Sequence, residues 1–221
     1  VLVRWNNEKL GYISPVEFIP IAEQTGIIIE LGQYILEKSI QTLHQWESNG
    51  IFLKQFSINI SMRQIFHHSF ISDVKRICEK YNQKTLCAKI IFELTETIVA
   101  EDIKRLIEIM NELKAIGISF SMDDFGTGYS SLSYITQLPI DELKIDGSFV
   151  SNLHKSTQNK AMVSSILNLA KTFELNIVAE GVETAEQIDF LSENQCDILQ
   201  GYYFSKPISD DEFSELYMDK Q

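Results

Sequence analysis

The chain has 221 residues, of which 44% are hydrophobic and 23% charged, and its formal net charge at pH 7 is −12. This composition is ordinary for a folded globular protein and too apolar for a disordered one. The acidic balance argues against binding of nucleic acid polymers, which needs clustered Lys and Arg, and the lack of a basic leader or an apolar run of roughly 20 residues predicts a cytoplasmic chain.

Short runs rich in β-branched and aromatic residues alternate with helical patterns, which is typical of a parallel α/β architecture. Seven such runs predict strands, at Leu2–Trp5, Phe56–Ile60, Ile90–Leu94, Ile118–Met122, Glu142–Ile145, Asn176–Ala179 and Ile198–Phe204.

Helices are predicted between these runs by apolar residues at helical spacing and by start and stop signals. Ser14-Pro15 predicts the start of a short helix, and Thr184 with Gln187 resembles a capping box. The longer predicted helices are Ile35–Trp46, ended by Asn49-Gly50, Ile103–Leu113, ended by Gly117, and Met162–Phe173.

No linker, internal repeat or low-complexity segment interrupts the chain, so residues 1–221 are predicted to form a single domain. Seven strands with intervening helices predict an α/β fold of the (β/α)8 TIM-barrel type that lacks one strand. The alternative, an open doubly wound sheet, usually has a glycine-rich phosphate turn after its first strand, and none is present.

Polar residues close the predicted strands, where catalytic groups of parallel barrels project. Each acid by itself is better explained as a helix N-cap. Several carboxylates at one barrel end, however, would repel one another unless divalent cations neutralised them, and oxygen ligands suit Mg²⁺ or Mn²⁺. These residues are Asn59, Glu93, Glu96, Asp123, Asp124, Lys144, Asp146, Glu180, Glu183 and Gln200.

The histidines and cysteines are poor candidates for ligands. His44, His67, His68 and His154 fall on helices or loops and are interpreted as surface or packing residues. The three cysteines, Cys78, Cys87 and Cys196, are irregularly spaced and are interpreted as reduced core thiols.

The sharpest local signal is Asp123-Asp124 followed by a loop with Gly126 and Gly128. Adjacent carboxylates can bridge two metal ions that activate water for displacement at phosphorus. The glycine loop either closes over a substrate or is an ordinary turn that uses glycine for positive φ.

Eight motifs occur in the order in which they are found in the EAL family of cyclic-di-GMP phosphodiesterases, which the chain resembles along nearly its whole length. They are Arg4-Trp5, Phe18-Ile19-Pro20, Asn59-Ile60-Ser61, Glu93-Leu94-Thr95-Glu96, Asp123 to Leu132, Leu143 to Asp146, Ala179 to Thr184 and Gln200-Gly201-Tyr202. The resemblance implies a modified (β/α)8 barrel that hydrolyses cyclic di-GMP to linear pGpG with two Mg²⁺ or Mn²⁺ ions.

The resemblance also implies roles for single residues. Asn59, Glu93 and Asp123 would ligate the first metal, and Asp123 and Asp124 would hold the second. Lys144 would contact the nucleophilic water, with Glu180 as a general base or second-metal partner. Arg4, Asp146, Glu183 and Gln200 would contact the substrate, and Glu96 would anchor the loop after the Asp pair.

Two departures from the family pattern qualify these expectations. The signature glutamate would lie just before Val1, so this chain resembles an EAL domain truncated there, in which metal binding and turnover would be weak. Gly147 stands where the family often has arginine. An inactive EAL-like receptor for cyclic di-GMP is the alternative function, and a barrel phosphoesterase of other specificity is a third. A homodimer and an attached sensory, diguanylate cyclase or membrane segment are further expectations by family analogy.

Overall fold

The computed structural model describes residues 1–81, 84–95, 102–127, 135–153 and 156–218. The chain divides into two compact units. Unit 1 comprises Val1–Glu93, Lys104–Ser119 and Ser209–Gln221, and unit 2 comprises Leu94–Ile103 and Phe120–Ile208. Within the described ranges, no helix has the length and apolar character needed to span a membrane.

The chain begins with a hairpin, followed by two helices, a strand, three further helices and the fourth strand. They are β1 (Trp5–Asn7), β2 (Gly11–Ile13), α1 (Pro15–Thr25), α2 (Ile28–Ser48), β3 (Phe56–Asn59), α3 (Met62–Ile65), α4 (Phe70–Lys80), α5 (Lys84–Cys87) and β4 (Ile90–Thr95).

After β4, strands and helices mostly alternate along the chain. They are α6 (Ile103–Lys114), β5 (Ser119–Phe125), β6 (Glu142–Ile145), α7 (Gly147–Ser151), α8 (Thr157–Thr172), β7 (Asn176–Ala179), α9 (Ala185–Glu193), β8 (Ile198–Leu199) and α10 (Asp210–Met218). Strands β3 to β8 follow one another in a single sheet, in chain order.

Unit 1 is organised around α2, whose apolar residues recur at helical spacing and face its core. Leu36, Ile40 and Leu43 are almost completely buried. Trp46 extends this face to α10: its Nε1 donates to Ser214 Oγ at 2.8 Å, and its ring lies 4.7 Å from that of Phe213. The amphipathic α2 therefore holds the last helix of the chain against the core of this unit.

Unit 2 contains the parallel strands β6, β7 and β8 in direct register. Glu142 pairs with Asn176, Lys144 with Val178, and Ala179 with Leu199. All four residues of β6 are buried, as expected for a strand covered on both faces. The carboxyl ends of β6 and β7 consequently lie side by side, which places their terminal polar residues together.

Five of the seven predicted strands are confirmed as β3 to β7 with small changes of bounds. The first, Leu2–Trp5, is wrong: Trp5 instead begins an antiparallel hairpin, closed by Asn7 Oδ1, which accepts from the backbone of Lys9 and Leu10. The last is too long, because only Ile198–Leu199 pairs, and the chain turns where Gly201 O accepts from Phe204 N.

The predicted helix signals are confirmed. Pro15 begins α1, Thr184 and Gln187 form a reciprocal capping box at α9, and Gly117 after α6 has a φ of +104°. Among the described histidines, His67 stacks on His68 and His44 packs against Tyr81, while His154 lies outside the described residues. All three cysteines are free thiols, as predicted, but only Cys87 is buried, while Cys78 and Cys196 are partly exposed.

Candidate active site

The carboxylates of Asp123 and Asp124 share one side of the chain because the backbone is irregular there. Neighbouring residues of a regular strand point to opposite faces. The pairing of β5 with β6 shifts register between Met122 and Phe125, and Asp124 has a φ of +57°, in the left-handed region. Such a bulge re-aims a side chain, and Asp and Asn tolerate this conformation better than most residues.

Asp124 is further fixed by two hydrogen bonds, one that it donates and one that it accepts. Its N–H donates to Asp123 Oδ1 at 3.0 Å. Thr127 Oγ1 donates to the Asp124 carbonyl at 2.8 Å, and so closes the first turn of the loop. The loop beyond this turn, residues 128–134, lies outside the described residues, so loop closure stays a prediction.

Glu180 completes a cluster of three acids within unit 2. Its N–H donates to Ile145 O at 3.1 Å, which places it at the carboxyl end of β7. One carboxylate oxygen from each of Asp123, Asp124 and Glu180 lies within 4.8 Å of the other two. Oxygen ligands of this type suit Mg²⁺ or Mn²⁺ rather than zinc. The residues therefore fit a divalent cation.

Lys144 supplies positive charge to this cluster from the neighbouring strand β6. Its Nζ lies 2.9 Å from Asp123 Oδ1 and 2.7 Å from Glu180 Oε1. Only 5% of its side chain is exposed, against 13% for Asp123 and 20% for Glu180. Gln200, after β8, also reaches Glu180, since its Nε2 donates to Oε1 at 3.4 Å.

The other predicted residues of unit 2 have local structural roles. Asp146 follows β6 and caps α7, with Oδ1 accepting from Ser148 N at 3.0 Å. Glu183 is exposed, and its N–H donates to Gln187 Oε1 at 2.7 Å in the capping box of α9. These bonds involve one oxygen of Asp146 and only the backbone of Glu183. The contacts of both side chains with substrate stay predictions.

The predicted residues of unit 1 fall in two places. Asn59 ends β3 and is the Cα partner of Glu93 in β4, so these two are neighbours in register. Glu93 is 6% exposed, whereas Asn59 is exposed. Arg4 is also exposed, just before β1, and its guanidinium donates to Val3 O. Glu96, the predicted loop anchor, lies outside the described residues.

One buried acid near this cluster was not singled out in the sequence. Glu142 is 2% exposed and lies two residues before Lys144 on β6, so strand alternation places both on one face. Ser121, its Cα partner on β5, is completely buried. Its spacing of two residues from Lys144 could have indicated that both share a buried strand face. A glutamate at the start of a strand, however, is more often a surface residue.

Comparison with known proteins identifies the class of protein that this fold and site define. The model of the EAL domain matches residues 1–207. The chain belongs to the EAL domain family.

Curated relatives include the bifunctional diguanylate cyclase/cyclic di-GMP phosphodiesterase MucR of Pseudomonas aeruginosa, 36% identical over 94% of this chain and 30% of the relative. The cyclic di-GMP phosphodiesterase PdeR of Escherichia coli is 34% identical over 98% of this chain and 32% of the relative. The chain thus spans about a third of the length of these relatives.

Solved structures agree with the family assignment. The c-di-GMP complex of the PaMucR phosphodiesterase superposes with a TM-score of 0.90 at 35% identity, covering 96% of this chain and 85% of the other. The EAL enzyme Bd1971, bound to cAMP and cyclic di-GMP, gives 0.90 at 36% identity, covering 97% and 58%. The predicted α/β fold of the modified TIM-barrel type is confirmed.

Proposed function

We propose that this chain is the phosphodiesterase domain of a protein that hydrolyses cyclic di-GMP to linear pGpG. The observation that carries the proposal is the convergence of Asp123, Asp124, Glu180 and Lys144 at adjacent strand ends of an EAL-family chain. The relatives MucR and PdeR are named for this activity, and PaMucR was solved with the nucleotide.

The proposed metal ligands are Asp123 and Asp124, together with Asn59 and Glu93 on the strength of the family resemblance. Two ions, Mg²⁺ or Mn²⁺, are proposed. A divalent cation supplies a water of lowered pKa and charge stabilisation at the phosphoryl oxygens when it is bound. The carboxylates of this chain hold that charge in place and orient the site around the scissile phosphodiester.

Lys144 and Glu180 are proposed as the catalytic pair. The Lys144 ammonium, held by Asp123 and Glu180, is proposed to donate to the attacking water or to a phosphoryl oxygen. Glu180 is held at Oε1 by Lys144 and Gln200, and is proposed to accept the proton from that water. A proton acceptor fixed in this way needs no reorientation when the water loses its proton.

Substrate contacts are proposed for Arg4, Asp146, Glu183 and Gln200, and loop anchoring for Glu96. An arginine suits the phosphate or the guanine edge of the nucleotide, because its planar donors bind oxygens in pairs. The proposal also assigns residues 1–221 to one EAL-type domain. It further includes a homodimer, attached sensory or cyclase domains and a cytoplasmic location.

The test is turnover of cyclic di-GMP by the protein with Mg²⁺ or Mn²⁺, followed by chromatography of the linear product. Asp123→Asn should lower kcat by at least about 100-fold, since several kcal/mol of charge stabilisation depend on the metal site. Lys75→Gln, at an exposed ion pair with Glu112, is the matched control and should leave kcat unchanged. Binding of the nucleotide by the intact protein without any product would favour the receptor alternative and refute the proposal.

A further inference from the structure

Lys144 contacts the same carboxylates that would receive a cation. Its Nζ lies within 3 Å of oxygens from two of the three clustered acids, Asp123 at 2.9 Å and Glu180 at 2.7 Å. The cluster is compact enough for one ion to touch all three acids. The lysine side chain is 5% exposed, so its charge is largely withdrawn from water.

Burying an ammonium group in this way requires compensation from its surroundings. Removal of a charge from water costs several kcal/mol unless good partners replace the lost hydration. Asp123 and Glu180 provide such partners for Lys144. The converse also holds, since clustered carboxylates repel one another when no cation lies between them.

The geometry points to a second role for Lys144, as an internal counter-ion for the metal-free cluster. In this role its ammonium neutralises Asp123 and Glu180 while no divalent cation is bound at Asp123 and Asp124. Metal entry at Asp123 and Asp124 then displaces the ammonium from Asp123 and leaves its contact with Glu180, so metal affinity is lowered by the free energy of breaking the contact with Asp123. The inference rests on the metal site of the proposed function but not on the identity of its substrate.

An ordinary structural salt bridge has a different geometry in this chain. Lys75 and Glu112 pair one to one at 3.2 Å, with side chains 41% and 56% exposed, and exposed pairs of this kind contribute little. Lys144 instead contacts two buried or half-buried acids from different parts of the chain, Asp123 in β5 and Glu180 just after β7. Both of those acids belong to the cluster that fits a cation.

The experiment measures metal binding and thermal stability without nucleotide. The protein is stripped with EDTA, and Lys144→Gln and Lys144→Met are compared with the wild type and with Lys75→Gln. Unfolding is followed by scanning calorimetry with and without saturating Mn²⁺, and Mn²⁺ affinity by titration calorimetry. Gln keeps a polar head at the site, and Met keeps the length and volume of the stem.

Both Lys144 variants should lose more thermal stability than Lys75→Gln without metal and should recover most of it with Mn²⁺. Their Mn²⁺ affinity should rise about tenfold, equivalent to about 1.4 kcal/mol, while Lys75→Gln leaves it unchanged. Affinity that is unchanged or weaker in both Lys144 variants would overturn the inference, as would failure of both to fold with Mn²⁺ present. Because no nucleotide is used, an absence of turnover in the earlier assay leaves this result unaffected.

Discussion

The segment between Glu180 and Glu183 depends on a glycine whose left-handed backbone is unfavourable for alanine. Gly181 has a φ of +68°, and a Cβ built there would lie 3.0 Å from Gly147 Cα and 3.5 Å from Gly147 O. Left-handed backbone costs a residue with a Cβ about 1–2 kcal/mol. Overpacking against fixed backbone adds about 1–3 kcal/mol. Gly181→Ala should therefore destabilise the protein by about 2–5 kcal/mol.

Scanning calorimetry measures this loss directly. In a protein of this size 1 kcal/mol corresponds to about 2–4 °C, so Gly181→Ala should lower Tm by roughly 4–20 °C. Because Glu180 is the preceding residue, Mn²⁺ affinity should fall as well. The displaced carboxylate would no longer meet Asp123 and Asp124 at the same point.

Gly147→Ala is the matched control, because it lies on the other side of the same contact. Its added Cβ would come only to 3.5 Å from Gly181 Cα, an ordinary contact, and its φ is not in the left-handed region. We expect a Tm within about 2 °C of the wild type. Equal losses in the two variants, or a Gly181→Ala protein as stable as the wild type, would refute the reasoning from backbone strain.

Three further predictions concern unit 2 and the start of α1. Thr184→Ala should cost about 1 kcal/mol in urea unfolding because it removes a capping box, while Ser14→Ala, whose hydroxyl makes no capping bond, should cost little. Gly201→Ala should reduce the folded yield by circular dichroism more than Gly181→Ala does, since its Cβ would lie 2.1 Å from Val182 O. Burial raises the pKa of Cys196 to about 11, so in a variant with this single thiol the labelling rate by a disulfide reagent should keep rising from pH 8 towards 11; a plateau near pH 9 would contradict it.

The sequence predicted most of the sheet because its signals are local. Strands such as Ile90–Leu94 are short runs rich in β-branched and aromatic residues, and the helix after Ser14-Pro15 starts with a residue pattern that needs no tertiary contact. The hairpin at Trp5 was missed because a side chain, Asn7, closes it. The run after Leu199 looked like strand by its aromatics, but Gly201 packs against Val182 and turns the chain away.

The candidate site was predictable as a set of residues but not as an arrangement. The position of Asp123, Lys144 and Glu180 at strand ends follows from the order of strands. Their distances do not, because they depend on the register of three strands and on the bulge in β5. The burial of Glu142, two residues from Lys144, likewise depends on tertiary packing, which no local sequence pattern predicts.

The left-handed backbone at Asp124 determines which substitutions can be interpreted there. Alanine would remove the carboxylate and at the same time favour a different backbone, so a loss of metal binding could not be assigned to charge or to shape. Asparagine accepts the same φ and keeps a side-chain oxygen of similar reach. Comparison of Asp124→Asn with Asp124→Ala would therefore separate the electrostatic contribution of this residue from its effect on the path of the chain.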